Sequence, residues 1–102
     1  MSDTVYVIAQ IQVEDWERYN EQYLPKTVER IEAHGGEILV GTDEAQRLEG
    51  EWDGNWTVVI EFPSEGDAHG FFEDEAYGEV VGHRHAAAEF SNIVLTPAFS
   101  TA

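Results

Sequence analysis

The chain contains no cysteine. That excludes disulfides, thiol catalysis, and zinc or iron–sulfur sites built on thiolates. Basic residues are nearly as scarce. Five Lys and Arg face 21 Asp and Glu, the formal net charge is −16, and Lys26 is the one lysine. Nucleic acid and anionic membranes are recognised by basic patches, so neither is an expected partner. There is no long apolar run, and the opening MSDTVYVIAQ has no basic region. The expectation is no signal peptide, no membrane span and a cytoplasmic location. Glycine-rich phosphate loops are missing, and Ser2, Ser64, Ser91 and Ser100 lack the context of a nucleophile elbow. No two of the four histidines stand three or four apart. His83 and His85, two apart, diverge by about 200° on a helix and cannot share an ion. Acid–histidine pairs four apart, such as Glu79–His83 and His85–Glu89, read as surface pairs. The reading therefore calls for no metal and no cofactor.

What is present suffices for a core. The 102 residues are 42% hydrophobic and include twelve aromatics, which implies one domain over 1–102 rather than disorder. The acids are spread along the chain rather than gathered in a tail. That is the pattern of a solvated acidic surface, and it suits a salt-rich cytoplasm in which screening suppresses self-repulsion. A halophilic protein is expected.

Hydrophobic periodicity gives the elements. Thr4 to Val13 alternates as a strand, with Val5, Val7, Ala9, Ile11 and Val13 on one face and Tyr6 and Ile8 beginning the other. Glu14 and Asp15 open a helix that runs to about His34 and stops at Gly35-Gly36, with Pro25 kinking or dividing it. Strands follow at Glu37 to Thr42 and at Asn55 to Phe62, with a shorter strand-like piece at Gln46 to Glu51 between them. Ser64 is a helix N-cap, supported by Asp67. The helical region it opens extends to about Ala88, with a break near Glu73 to Glu75. Ile93 to Ala98 is the last strand.

The order β-α-β-β-α-β points to an α+β protein: a ferredoxin-like antiparallel sheet with two helices on one face. Its central first and third strands offer large apolar groups to both faces, and two helices cover only one. The other face should be covered by the same face of a second copy, burying on the order of 1,600 Å². A homodimer is the expected partner state.

Four stretches, HGGEILVG, LEGEW, VVIEFPS and AYGEVVGHRHAAAE, resemble in order and spacing the family called domain of unknown function 1330. The resemblance covers nearly the whole chain and is strongest from Gly35 to Ala88. It implies a dimeric α+β barrel and no established activity. The wider barrel group includes cofactor-free oxygenases, muconolactone isomerases and stress-response proteins. The chain departs from the family pattern at Glu37 and at Asn55-Trp56, where a basic residue is usual. It departs again at Leu95 to Phe99, where an acid and glycine are usual.

Candidate site residues come from helical phase. Taking Tyr77 as zero, Val81, Arg84 and Ala88 fall within roughly 40° of it, so Arg84 lies on the apolar stripe, His85 at its edge, and His83 points away. The resemblance also places an arginine at this point. An inward arginine needs a carboxylate, carbonyls or an anionic ligand. Trp16, Tyr19, Tyr23, Ile31 and His34 share one face of the first helix. They are either core or the wall of an apolar pocket with a few polar tips. The expected ligand-binding residues are Arg84, Tyr19, Tyr23 and Tyr77, and the proton-transfer candidates are His34 and His85. The expected function is binding of a small molecule, with or without turnover of a small organic acid, lactone or quinol. A non-catalytic ligand-binding or stress-response module, or a purely structural dimer, is the alternative.

Overall fold

The structure, a computed structural model, describes residues 3–99. Strand β1 (Val5–Val13) alternates strictly between buried and half-buried residues. Next come a single helical turn, α1 (Trp16–Arg18), a π-helical stretch (Tyr19–Tyr23) and α2 (Leu24–Ala33). Strands β2 (Glu37–Thr42) and β3 (Trp56–Phe62) follow, then helices α3 (Glu65–Phe72) and α4 (Glu75–Ala87), and strand β4 (Ala88–Pro97). The sheet order is β2-β3-β1-β4, with every pair antiparallel. β1 and β3 are central, as the ferredoxin-like order requires.

The divided first helix has an identifiable cause. Pro25 has no N–H, and its ring crowds the carbonyl one turn back. The helix answers by widening the turn before it: Leu24 N–H reaches the carbonyl of Tyr19, and Pro25 enters the first turn of α2, where its missing donor costs least. Thr27 Oγ1 donates to the Tyr23 carbonyl at 2.7 Å and ties the two pieces together. The wide turn brings the rings of Tyr19 and Tyr23 together, centroids 5.0 Å apart, both buried over the sheet.

Two strand expectations need correction. The piece at Gln46 to Glu51 forms no strand: it is an exposed loop with Gly50 at φ 77° and no ladder partner. The last strand begins at Ala88, not Ile93. Its first residues pair with the end of β1 (Gln12 with Phe90, Val13 with Ala88). Glu89, Ser91 and Asn92 hide it in the sequence, because an edge strand needs few apolar residues. α4 therefore runs into β4 without a loop. The junction is held by Glu14 and Asp15, whose backbone N–H groups donate to the Ala87 carbonyl at 2.7 and 3.0 Å. At the same end of β1, Asn55 imitates a strand residue: its side-chain amide accepts from Val13 N and donates to Val13 O, both at 2.8 Å.

Helices cover one face only. Phe62, Phe71, Tyr19, Ile31, Val7 and Val13 are the most completely buried large side chains, all between sheet and helices. The slab is thin, 43 × 38 × 16 Å. The outer face carries half-buried Tyr6, Ile8 and Val59 and exposed Val40 and Val94. β2 is exposed almost throughout, so the helical layer stops short of that edge. Among the described residues no helix is long and apolar enough to cross a membrane.

Candidate functional site

A cavity of about 50 Å³ lies between sheet and helices. Its floor is Val7, Ala9 and Ile11 of β1, Val58 and Ile60 of β3, and Ile93 of β4. Its roof brings together Tyr19 and Tyr23 from the π stretch with Tyr77 and Arg84 from α4. Leu24, Val28, Ile38 and Phe72 form its edge, with Ile38 and Phe72 reaching solvent.

The polar cluster in this apolar space is built around Arg84, which is only 8% exposed. Arg84 Nη1 donates to Tyr77 Oη at 2.8 Å and to Tyr23 Oη at 3.2 Å. The two phenols hydrogen-bond each other at 2.8 Å. Arg84 Nη2 donates to Nε2 of His85 at 3.2 Å, and the guanidinium carbon sits 5.7 Å from the centroid of the Tyr23 ring. Such cation–π contact is favourable but does not neutralise the charge.

No carboxylate pairs with Arg84 among the described residues. Its Nε is buried without a hydrogen-bond partner. Three hydrogen bonds use three of the five N–H groups an arginine carries. Of the two phenol protons of Tyr23 and Tyr77, one is spent in their mutual bond and one is not. The cluster therefore holds more donors than acceptors. Neither Tyr77 nor Tyr19 supplies the missing negative charge. Burial, then the neighbouring Tyr23, holds Tyr77 well above the ordinary tyrosine range against the pull of Arg84. Tyr19 is pushed up by the same two causes in the same order. Both stay neutral, and no carboxylate among the described residues faces the buried cation.

His34 and His85 take other places. His34 lies outside the cavity lining; its Nε2 is 2.8 Å from Asp74 Oδ2. Arg30 donates to the same oxygen through Nε and Nη2 at 3.0 and 2.8 Å. Asp74 Oδ1 accepts from Tyr77 N at 3.0 Å and so caps α4. The Asp74 carboxyl is held well below the usual carboxylate range by hydrogen bonds from Arg30, then from His34, then from the Tyr77 backbone. Gly70 leaves room for the imidazole, since a Cβ there would stand 3.2 Å from His34 Nδ1. His85 is exposed, on the solvent side of Arg84. His83 accepts from Arg18 Nε at 3.1 Å. Among the described residues no three His, Asp or Glu side chains are grouped to hold a metal.

Sequence reasoning missed Thr27 and Asp74. Thr27 lines the cavity and shares the phase of Tyr23 and Ile31, four residues to either side, which was a usable signal. Asp74 is an N-cap at a helix break already recognised near Glu73 to Glu75, but nothing in the sequence ties it to Arg30 and His34.

The chain belongs to the family described as domain of unknown function 1330, whose model matches residues 4–98. No curated protein matches it. Solved structures place the fold among the dimeric α+β barrels. A protein of unknown function from Rhodopseudomonas palustris is similar with TM-score 0.80 and 20% identity, over 98% of this chain and 86% of that one. A cofactor-independent oxygenase from Streptomyces nogalater is similar with TM-score 0.70 and 15% identity, over 98% and 97%. A candidate antibiotic biosynthesis monooxygenase from Caulobacter crescentus is similar with TM-score 0.65 and 12% identity, over 97% and 92%. At these identities the likeness speaks for the fold alone.

Proposed function

We propose that this member of the domain of unknown function 1330 family is a small-molecule-binding homodimer whose cavity takes an anionic or enolic ligand on Arg84. One observation carries the reading: a buried guanidinium with no carboxylate partner and an unpaired Nε, in a chain with 21 acids to choose from. A buried cation that serves structure alone is paired, because removing a charge from water costs several kcal/mol. Here the pairing acid is left to the ligand. Tyr23 and Tyr77 hold the guanidinium in place, and the unspent donors face an oxyanion. Tyr19 completes the wall.

Binding is favoured over acid–base catalysis. Neither His34 nor His85 lines the cavity, and the phenols of Tyr19 and Tyr77, which do, are held above the range useful for proton transfer near neutrality. Turnover through an enolate, stabilised by the same donors, is a second reading. It is favoured by the donors already being fixed where such an oxygen would sit.

The dimer forms through the outer sheet face, where Tyr6, Ile8, Val40, Val59 and Val94 await cover. Glu37 and Glu61 stand opposite each other there, so salt strengthens the association. A cytoplasmic, salt-rich setting is part of the same reading.

The test is a thermal-shift panel of aromatic acids, unsaturated lactones and quinols on wild type and Arg84→Ala, followed by turnover assays on any compound that binds. Ligands that bind the native state raise Tm. Acids or enolisable compounds are expected to raise the wild-type Tm and leave the variant unmoved. Equal responses from both proteins would remove Arg84 from the function.

A further inference from the structure

We infer that the ligand is an unbranched monocarboxylic acid, bound with its carboxylate at Arg84 and its hydrocarbon chain lying across the sheet. The inference rests on the binding role of Arg84 and narrows the chemistry of that same site. Two features of the cavity carry it.

The first is the distribution of polar groups. The spare donors that belong to the lining stand at one end, on Arg84 and the Tyr23–Tyr77 pair; the other buried unpartnered donor, Trp56 Nε1, belongs to a residue outside the lining. Two other polar side chains line the cavity: Tyr19, whose ring lies against that of Tyr23 at the same end, and Thr27, which spends its hydroxyl proton on the Tyr23 carbonyl. Floor and edge are otherwise hydrocarbon or phenylalanine. A ligand with a second polar group would bury it unpaired, at a cost of roughly 1–3 kcal/mol, or about 5- to 150-fold in affinity. This disfavours diacids, and quinols with hydroxyls at opposite ends. A neutral lactone leaves the charge of Arg84 unmet.

The second feature is shape. Residues of all four strands line the space: Ile38 of β2, Val58 and Ile60 of β3, Val7 to Ile11 of β1, Ile93 of β4. Strands lie about 4.8 Å apart, so three gaps make a slot about 14 Å long. The slot is thin, since a space of that length holds only about 50 Å³. A long thin slot suits a chain better than a ring. Arg84 sits at the β1–β4 end, where α4 turns directly into β4. The open end is at β2, where Ile38 and Phe72 are 39% and 36% exposed. Those two side chains mark where a chain would enter.

The experiment is isothermal titration of the full-length protein, in molar potassium chloride, with octanoate, 1-octanol, octanedioate and benzoate, on wild type and Arg84→Gln. Octanoate is expected to bind the wild type at least tenfold more tightly than the other three, and to lose at least tenfold in Arg84→Gln. Affinity is also expected to rise about fourfold per methylene from butanoate to octanoate. Benzoate binding in preference to octanoate would overturn the chain ligand and leave Arg84 as an anion site. Octanedioate matching octanoate would overturn the single-headed ligand alone. Equal binding of 1-octanol and octanoate, unchanged in Arg84→Gln, or no binding by any of the four acids and alcohols, would overturn both the chain ligand and the anion site.

Discussion

Two charged clusters flank helix α4, and they are built on opposite rules. At its N-terminus one carboxylate, Asp74, is surrounded by Arg30, His34 and the Tyr77 backbone N–H. Inside the protein, toward its C-terminus, one guanidinium, Arg84, is surrounded by phenols and an imidazole and has no carboxylate. The first cluster is complete: every partner is supplied by the chain, and together they fasten α2 to the start of α4. The second is incomplete in a protein with a fourfold excess of acid over base. A deficit of acid in such a chain is informative, because a pairing Asp or Glu was the easiest residue to supply. On the proposed reading, the difference separates a group that holds the fold from one left open for a ligand.

Breaking the complete cluster should have the largest effect. Asp74→Ala removes a helix cap and strands Arg30 and His34, and should lower Tm by roughly 5–10 °C in a calorimetric scan. A change within one degree would make that cluster ornamental and erase the contrast.

Acid should sharpen the same contrast. Asp74 has a folded-state pKa below its unfolded value of about 3.9. Its contribution is therefore full above that unfolded value, and is lost as pH falls from there through the depressed folded value. The Tm gap between wild type and Asp74→Asn should stay constant from pH 7 to about 5 and close below about 4. A gap that closed well above pH 5 would mean that the Asp74 carboxylate is not what sets it.

Smaller effects belong to the incomplete cluster. Tyr77→Phe deletes one phenol but leaves Arg84 Nη1 its bond to Tyr23, so urea unfolding should register a loss of about 1 kcal/mol. Salt should act on binding there in an unusual direction. An anion must approach a chain of net charge −16, and screening weakens that repulsion more than it weakens the buried attraction. Raising potassium chloride from 0.1 to 1 M should tighten octanoate severalfold by titration. Weakening would indicate an exposed site.

Much of this contrast is legible in the sequence. The phase of Tyr77, Val81, Arg84 and Ala88 turned Arg84 inward, and Tyr19 and Tyr23 fell on the covered face, because helical period is a local property. The central strands β1 and β3 were legible for the same reason, through period two. Contacts between distant segments were not. His34 closes a helix and looked like a pocket tip, yet it turns to Asp74, forty residues on. The π turn ahead of Pro25 was read only as a kink or division, since a missing N–H tells where a helix is disturbed but not how it relaxes. The first half of β4 escaped because Glu89, Ser91 and Asn92 carry no apolar alternation, and its pairing with β1 is set by the loopless exit from α4.

The most direct test is the thermal stability of Arg84→Met without ligand, measured beside wild type in the same high-salt buffer. Methionine fills the stem of the arginine and leaves Tyr23 and Tyr77 hydrogen-bonded to each other. If Arg84 is a buried cation waiting for an anion, the variant should be as stable as wild type or more so, by up to a few degrees. A drop of ten degrees or more, the mark of a broken buried ion pair, would contradict the account.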